Sequence, residues 1–473
     1  MNISLNHLII SSSFVTFPIF HGGCVESGKK SPYKEPNIIY ILADDLGIGD
    51  LGCYGQKVIR TPTIDELAED GMRFLQHYSG STVSAPSRCS LLTGKHTGHT
   101  YIRGNKGYEH IDGFSYDLPL ADEELTIAEI LKQNNYQTAC IGKWGLGGPD
   151  SEGHPNNQGF DYFFGYLGQG NAHSYYPQQL FENHNAVKLD GKVYSHDLIV
   201  EKALDYIERN IENPFFLYLP VTIPHAELIV PEKDRMGYTN KFPETPFLGK
   251  GSYGPQEQPY ATYAAMVSRL DKSVQGIIDL LKKKGIYDNT IIMFASDNGV
   301  HKEGGLNPDF FNSNGPFRGN KRDLYEGGIR TPFIVSWPAV IPREGRVSYH
   351  ASAFWDLLPT VCEIIGTEKP QNIDGISFLP QLTGNGEQQP HASLYFEFHE
   401  QGGKQALLKD GWKLIRLNVN KPQKAKLELY NYYIDSGENA NVVLQYPEKV
   451  EELSKLMDMQ RTENEYWSFT KGD

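Results

Sequence analysis

The sequence has little cysteine, and the few cysteines form no pattern with a structural use. Five occur in 473 residues, at positions 24, 53, 89, 140 and 362, with no Cys-x-x-Cys pair and no Cys/His spacing typical of zinc. They therefore indicate neither a disulfide framework nor a zinc site. Cys53, Cys140 and Cys362 are interpreted as small buried apolar residues.

The chain also lacks an excess of positive charge. Its 44 Lys and Arg are outnumbered by 58 Asp and Glu, which gives a formal net charge of -14. This balance argues against nucleic acid as a partner, because phosphate binding needs a basic face. An acidic protein that binds an anion must instead concentrate positive charge locally, through basic side chains or a metal ion.

Long apolar runs are missing as well, apart from a short one at the N terminus. Residues 8–20 are apolar but interrupted by serines, too short for a membrane span, and they predict an export signal over residues 1–24. Gly22-Gly23-Cys24 resembles a lipoprotein signal, although no Lys or Arg precedes the run and His21 stands where leucine is usual. The expected location is the periplasm, or the cell envelope through a lipid anchor at Cys24.

What the sequence does contain is an alternation of strand-like and helical segments. Apolar β-rich runs occur at 37–42, 136–141, 214–220, 289–295 and 332–337, with helical patterns from Thr63 toward Phe74, at 125–133 and at 261–284. This alternation predicts an α/β fold with a large mixed, mostly parallel sheet flanked by helices on both faces. We expect this catalytic domain to span residues 34–381, since the chain is too long for one core.

After residue 380 the pattern changes to short strands followed by a terminal helix. Strand-like runs occur at 393–398, 405–408, 412–417 and 427–430, and a helical run at 448–461. They predict a small C-terminal antiparallel sheet with one helix, in a subdomain over 388–473.

Polar residues follow four of the predicted strands of the large sheet. They are Asp44-Asp45, Lys143, His225 and Asp297-Asn298. Each has a plain interpretation as a turn or surface residue. Ligands of open α/β sheets, however, bind beyond the carboxyl ends of the strands, so these four segments are expected to meet in one crevice.

A further candidate is the segment Ser84-Ala85-Pro86-Ser87-Arg88-Cys89-Ser90-Leu91-Leu92-Thr93-Gly94. Taken alone it is an ordinary helix start, with Ser84 able to cap, Pro86 in the first turn and Gly94 as a stop. Arg88 lies one turn after Ser84, so its guanidinium and the helix N terminus together can bind an anion.

This segment resembles the signature of the type I sulfatases of the alkaline-phosphatase-like superfamily: Cys or Ser, any residue, Pro, Ser, Arg, three variable residues, then Leu-Thr-Gly. In that family the first residue is oxidised after translation to formylglycine (3-oxoalanine), whose hydrate supplies the attacking oxygen. The resemblance therefore implies that Ser84 is the nucleophile precursor. A serine there resembles the bacterial subgroup, which implies a serine-type maturation enzyme as a transient partner.

The resemblance also implies a metal site and a set of basic catalytic residues. Asp44, Asp45, Asp297 and Asn298 match the family's metal ligands, and their hard oxygens suit Ca²⁺ or Mg²⁺. Of these, Ca²⁺ is favoured for an exported enzyme, with Mg²⁺ as the alternative. Arg88, Lys143, His225 and Lys321 match positions that bind sulfate or the leaving oxygen. The segments 326–332, 409–415 and 429–431 also look like the family.

One departure from the family pattern concerns the general base. Sulfatases commonly read Gly-Lys-Trp-His-Leu-Gly, whereas this chain reads Gly142-Lys143-Trp144-Gly145-Leu146-Gly147. His173 could replace the missing histidine from a neighbouring loop; substrate binding and a structural role are the alternatives for it.

The expected reaction is hydrolysis of a sulfate monoester in a sulfated glycan, and the resemblance to sulfatases favours a galactose or N-acetylgalactosamine unit. Export and the polar, aromatic loops near the motifs motivate the glycan, and the candidate sugar contacts are Arg103, Asn105, His301 and Glu303. Two alternatives remain open: a phosphomonoesterase or phosphodiesterase of the same superfamily, and a noncatalytic glycan-binding lipoprotein.

Overall fold

The structure of the protein is a computed structural model that describes residues 1, 33–111 and 113–469. Apart from Met1, the predicted export signal and Cys24 lie outside these residues. Within the described part of the chain, none of the helices combines the length and the apolar character that crossing a bilayer requires.

The described residues form eighteen strands and eleven α-helices, joined by loops and short 3-10 helices. The strands are, in chain order, β1 (Asn37–Ala43), β2 (Met72–Phe74), β3 (His77–Tyr78), β4 (Gly107–Ile111), β5 (Phe114–Asp117), β6 (Gln137–Lys143), β7 (Tyr162–Tyr166), β8 (Gln179–Glu182), β9 (Asn185–Lys188), β10 (Phe215–Pro220), β11 (Thr290–Ser296), β12 (Phe333–Ser336), β13 (Arg346–Ser348), β14 (Ser352–Ala353), β15 (Leu394–Phe398), β16 (Lys404–Lys409), β17 (Trp412–Leu417) and β18 (Lys426–Asn431). The α-helices are α1 (Pro62–Glu69), α2 (Ser84–Thr93), α3 (Ile127–Gln133), α4 (Ser195–Arg209), α5 (Glu232–Arg235), α6 (Pro259–Lys284), α7 (Pro308–Phe311), α8 (Glu326–Ile329), α9 (Leu357–Ile365), α10 (Leu379–Thr383) and α11 (Pro447–Asp458).

A ten-stranded mixed sheet organises the larger part of the chain. Its strand order is β13-β2-β12-β11-β1-β10-β6-β7-β8-β9. The central strands β11, β1, β10, β6 and β7 run parallel to one another, while β12, β8 and β9 pair antiparallel to their neighbours. The predicted α/β fold with a mixed, mostly parallel sheet is confirmed.

Both faces of this sheet are buried, as the continuous apolar strands predict. Along β1, Ile39 and Ile41 join one core cluster, which also contains residues of α4 and α6. Ile38, Tyr40 and Leu42 point the other way and join a second cluster with residues of α2, α3 and α9. The alternation of side chains along a strand thus places helices on both faces.

A second, antiparallel sheet forms the C-terminal part, in the order β15-β16-β17-β18. One face packs under α11 through residues such as Leu407, Leu414 and Leu453. The other face packs against the larger part of the chain, where Phe396 joins a cluster with Tyr78 and Val83. The small sheet therefore buries the segment that leads into α2.

Two local predictions need correction. The helix expected to run from Thr63 toward Phe74 begins at Pro62, ends at Glu69, and is followed by strand β2. Gly71 comes so close to β12 that an added Cβ would lie 2.3 Å from the carbonyl oxygen of Val335, so strand pairing ends the helical path there. Cys140 and Cys362 are buried and unpaired as predicted, whereas Cys53 is only half-buried.

Candidate active site

The polar residues predicted to follow four strands do meet at one edge of the large sheet. Asp44 and Asp45 come directly after β1, Lys143 is the last residue of β6, and Asp297 comes directly after β11. His225 lies in the loop after β10. All of them are at most 2% exposed, so the crevice that they form is a buried polar cluster in an otherwise apolar interior.

Helix α2 brings Ser84 and Arg88 into this cluster. The helix begins at Ser84 and ends at Gly94, whose φ of 71° is the left-handed value typical of a helix stop. Val83, rather than Ser84, occupies the capping position, which leaves the Ser84 hydroxyl available. The Oγ of Ser84 lies 3.3 Å from Asp44 Oδ1 and 3.5 Å from Lys143 Nζ.

Arg88 links the helix to the acidic residues. Its guanidinium donates to Asp297 Oδ2 at 2.8 Å and to the backbone oxygen of Lys143 at 2.9 Å, and it lies 3.6 Å from Asp44 Oδ2. Burial opposes the charge on Arg88, but attraction to Asp297 outweighs it and raises the arginine pKa. Arg88 therefore stays charged without contact with water.

The acidic residues hold one another in place through their backbones and amides. Asp45 has a left-handed φ of 64°, and its N–H donates to Asp297 Oδ1 at 3.1 Å. Asn298 Nδ2 donates to Asp45 Oδ1 at 2.6 Å. Burial, followed by repulsion from Asp44, raises the pKa of Asp297, so the carboxylates are crowded.

This crowding fits a divalent cation. Asn298 Oδ1 is buried and has no hydrogen-bond partner among the described residues, an orphaned acceptor that a cation would satisfy. The atoms of Asp44, Asp45 and His225 that could bind a metal ion lie within 4.8 Å of one another. Carboxylate and amide oxygens are the ligands that Ca²⁺ and Mg²⁺ prefer, so the residues present fit such an ion.

Lys321 and His225 form a pair on the other side of Asp45. Lys321 Nζ lies 2.8 Å from Asp45 Oδ2 and 2.8 Å from His225 Nε2. The other ring nitrogen of His225, Nδ1, contacts the backbone oxygen of Ala226, so it carries the ring proton and Nε2 accepts from Lys321. Burial opposes the charge on Lys321, but Asp45 and Glu303 outweigh it and raise the lysine pKa.

A rim of partly exposed residues surrounds this pair. Glu303 accepts from Arg322 Nη1 at 2.7 Å and from the Tyr253 hydroxyl at 3.1 Å. Although burial alone would raise it, the pKa of Glu303 falls to about 2 through Lys321, His301 and Arg322. The ring of His173 stacks on that of His225 with centroids 4.5 Å apart, so this loop residue does reach the cluster.

The structure explains why position 145 is a glycine. Gly145 has a φ of 77°, and a Cβ added there would lie 2.6 Å from Gln169 Cγ. Gln169 thus fills the space beside Gly145, and its Nε2 donates to Asn105 Oδ1 at 3.3 Å. Asn105 Oδ1 also accepts from the N–H of Ala85 at 3.0 Å, which places Asn105 next to Ser84.

Two expected sugar contacts are wrong. Arg103 is 1% exposed, and its guanidinium binds Glu397 at 3.3 Å and Thr462, so it joins the larger part of the chain to the C-terminal part. His301 is fully buried and lies 3.2 Å from the backbone oxygen of Pro224. The polar atoms of both side chains are already bound within the protein: Arg103 Nε also donates to the backbone oxygen of Thr100, and His301 Nδ1 accepts from the N–H of Glu303. They are therefore not available to a sugar.

Sequence reasoning missed several residues of the rim, namely Gln169, Tyr253 and Arg322. Arg322 follows Lys321 directly, and its basic charge was a usable signal. Tyr253 and Gln169 lie in irregular loops, where no periodicity or motif distinguishes them from surface residues.

Two protein-family models match this chain. The Sulfatase family model matches residues 36–367, and the model named N-sulphoglucosamine sulphohydrolase, C-terminal, matches residues 317–465. The first of these matches covers most of the chain and includes every residue of the cluster around Ser84.

Individual relatives are similar over most of their length. The N-acetylgalactosamine-6-sulfatase of Canis lupus familiaris is 32% identical over 74% of this chain and 66% of its own. The N-acetylgalactosamine-6-O-sulfatase of Bacteroides thetaiotaomicron is 29% identical over 92% of this chain and 95% of its own. The crystal structure of Ps i-CgsB in complex with k-i-k-neocarrahexaose superposes with a TM-score of 0.76 at 29% identity, over 90% of this chain and 92% of its own. The chain belongs to the sulfatase family and is a sulfuric ester hydrolase.

Proposed function

We propose that this sulfatase hydrolyses sulfate monoesters of a glycan at a galactose or N-acetylgalactosamine unit, using a formylglycine made from Ser84 and a bound divalent cation. One observation carries the proposal. The Ser84 hydroxyl stands at the start of a helix, between the carboxylate of Asp44 and the ammonium of Lys143. A nucleophile precursor needs such a position, facing a cation site and anion-binding groups together.

The charges in the cluster support the presence of the cation. Three basic groups, Arg88, Lys143 and Lys321, stand against the three carboxylates of Asp44, Asp45 and Asp297. Because these charges cancel, the protein alone offers a sulfate little net attraction. Asp44, Asp45, Asp297 and Asn298 would hold Ca²⁺, or Mg²⁺, which when bound supplies Lewis-acid charge to a sulfate oxygen.

The residues of the chain then have distinct tasks. Arg88 and Lys143 orient the sulfate beside position 84, where a formylglycine, once formed and hydrated, would supply the attacking hydroxyl. Lys321 donates a hydrogen bond to the departing alcohol oxygen, and its proton passes there directly or through His225 Nε2. Because these groups are already fixed by the hydrogen bonds of the cluster, little reorganisation is needed during the reaction.

His173 is proposed as the base that replaces the histidine missing at position 145. The stacking of its ring on His225 places it at the cluster. Burial, and then the charges of Lys143 and Lys321, lower the pKa of His173 to about 3, so its imidazole is neutral. We expect His173→Ala to lower kcat by about 10²–10⁴-fold with little change in KM. Steady-state kinetics beside the matched variant His184→Ala measures this. A change confined to KM would make His173 a binding residue instead.

A glycan substrate is supported by the rim and by the relatives. Arg322, Glu303, Tyr253 and Asn105 present donors and acceptors at the mouth of the cluster, as recognition of sugar hydroxyls requires. Two relatives carry the name of an N-acetylgalactosamine 6-sulfatase, and a similar structure holds a neocarrahexaose.

Mass spectrometry of the Ser84 peptide tests the proposal. After expression with a serine-type maturation enzyme, which accepts two electrons and two protons from the side chain, the peptide should have lost two hydrogen atoms. The same preparation should release sulfate from sulfated galactose or N-acetylgalactosamine, and unmatured protein should not. Full turnover by protein whose Ser84 is unmodified would refute the formylglycine.

The remaining proposals concern the whole chain. Residues 34–381 are proposed as the catalytic domain and 388–473 as the C-terminal subdomain. Export to the periplasm, or anchoring through Cys24, is proposed from the first 24 residues of the sequence.

A further inference from the structure

A turn of the small C-terminal sheet reaches the loop that carries Lys321. This turn, residues 399–403, joins β15 to β16. Lys404, which follows it, donates from Nζ to the backbone oxygen of Arg322 at 2.7 Å and to Asp323 Oδ1 at 3.1 Å. The turn is therefore docked against the active-site loop by direct hydrogen bonds.

Glu400, in the middle of this turn, has a carboxylate without a partner. The side chain is half-buried, yet it forms no hydrogen bond or ion pair with the described residues. Burial raises the pKa of Glu400, and the nearby charges of Arg322, Lys321 and Lys404 offset this only in part. Leaving a carboxylate desolvated without donors costs free energy, which a bound donor would recover.

Arg322 is the neighbouring group with donors left to offer. Its guanidinium binds Glu303 through Nη1 but is 34% exposed, so it also faces solvent. Its backbone has a left-handed φ of 74°, and its N–H donates to the oxygen of Thr82, two residues before Ser84. The position of this arginine is thus fixed relative to the reacting centre, at the cost of an unfavourable backbone conformation.

We propose that Glu400 and Arg322 form a subsite for the hydroxyl or amide N–H groups of the sugar that carries the sulfate, so that the C-terminal part of the chain contributes to specificity. This inference rests on the proposed glycan sulfatase function. The carboxylate accepts from a sugar donor and the guanidinium donates to a sugar oxygen. Of the two groups, Glu400 would repel a second sulfate on this sugar, whereas Arg322 would attract it.

The experiment compares full-length matured wild-type protein with Glu400→Gln and Glu400→Ala. The control is Glu448→Gln, which makes the same charge change on an exposed residue of α11. The substrates are 4-nitrophenyl sulfate, monosulfated galactose and N-acetylgalactosamine, and their disulfated forms. 4-Nitrophenyl sulfate lacks sugar hydroxyls and therefore reports on the reaction centre alone.

We expect both Glu400 variants to lower kcat/KM for the preferred monosulfated sugar by about ten- to hundredfold. Hydrolysis of 4-nitrophenyl sulfate should change by less than about twofold. The preference for monosulfated over disulfated sugar should also shrink in Glu400→Gln, because the repelling charge is gone.

Equal losses on both kinds of substrate, or no loss on the sugars, would overturn the subsite. So would a wild-type protein that hydrolyses 4-nitrophenyl sulfate and none of the sugars. If the wild-type protein releases sulfate from neither, the proposed function itself fails, which separates the two outcomes.

Discussion

Replacing Ser84 with alanine is expected to lower sulfate release by at least about 10³-fold. The reason is that the substitution removes the side-chain oxygen from which the nucleophile is proposed to be made, while Arg88, Lys143 and the carboxylates stay in place. The lost hydrogen bond to Asp44 is long, at 3.3 Å, so the free energy of unfolding should fall by about 1 kcal/mol or less. Sulfate release and urea denaturation, measured on the same preparation, check both parts.

Ser454→Ala, which removes the same hydroxyl group from helix α11, is the matched control and should keep wild-type activity. Retention of more than about a tenth of wild-type turnover by Ser84→Ala would rule out Ser84 as the nucleophile precursor.

Replacing Lys413 with methionine is expected to destabilise the protein by about 3–5 kcal/mol. Lys413 lies in β17, is fully buried, and stands 2.9 Å from both Glu326 and Glu438. Without the lysine two carboxylates remain in the interior, and only Glu326 keeps other strong partners, Arg330 and Tyr78. Urea denaturation measures the loss, with Lys455→Met on the surface of α11 as the control.

The size of this loss should depend on pH. Burial raises the pKa of Glu438 from 4.5 to about 7, with Lys413 acting in the opposite direction. A raised carboxyl pKa means that the folded protein retains a proton that the unfolded chain releases, so stability falls as pH rises from 4.5 to about 7. Removing Lys413 raises this pKa further, and the loss should be larger at about pH 8 than at about pH 5. A loss independent of pH would contradict the assignment.

The buried triad of Lys413, Glu326 and Glu438 also contacts the active-site loop. Glu326 begins α8 and follows the loop that carries Lys321, and its N–H donates to Glu438 Oε2 at 2.6 Å. The C-terminal sheet thus fixes the end of the loop that carries Lys321 through an ion cluster. A destabilised triad is therefore expected to loosen Lys321 before the large sheet unfolds.

Most of the fold could be predicted from the sequence, because the relevant signals are local. The central strands are apolar along their whole length, which distinguishes strands buried on both faces from half-exposed ones. Their polar ends, Asp44, Lys143 and Asp297, predicted where the crevice would lie, since parallel strands end at one edge. The bounds of the predicted strands were right to within two residues.

The features of the site that could not be predicted depend on contacts between distant parts of the chain. Arg103 was expected at the sugar, but its partner Glu397 lies almost 300 residues later and no local pattern indicates that pairing. Tyr253 reaches the rim from a loop, where its hydroxyl binds Glu303. Glu400 lies in a turn beside Lys404, which binds the loop that carries Lys321. Position 145 has no room for a side chain, because Gln169, a residue of another loop, fills the space beside it.

The burial of Ser84 limits when its hydroxyl can be modified relative to folding. In the folded chain Ser84 is 2% exposed, inside a helix whose preceding residues Tyr78 and Val83 are covered by the C-terminal sheet. A maturation enzyme cannot reach that hydroxyl once the last strands have docked. The oxidation proposed for Ser84 would therefore have to come first, while the segment is still an extended peptide, and folding would then enclose the product.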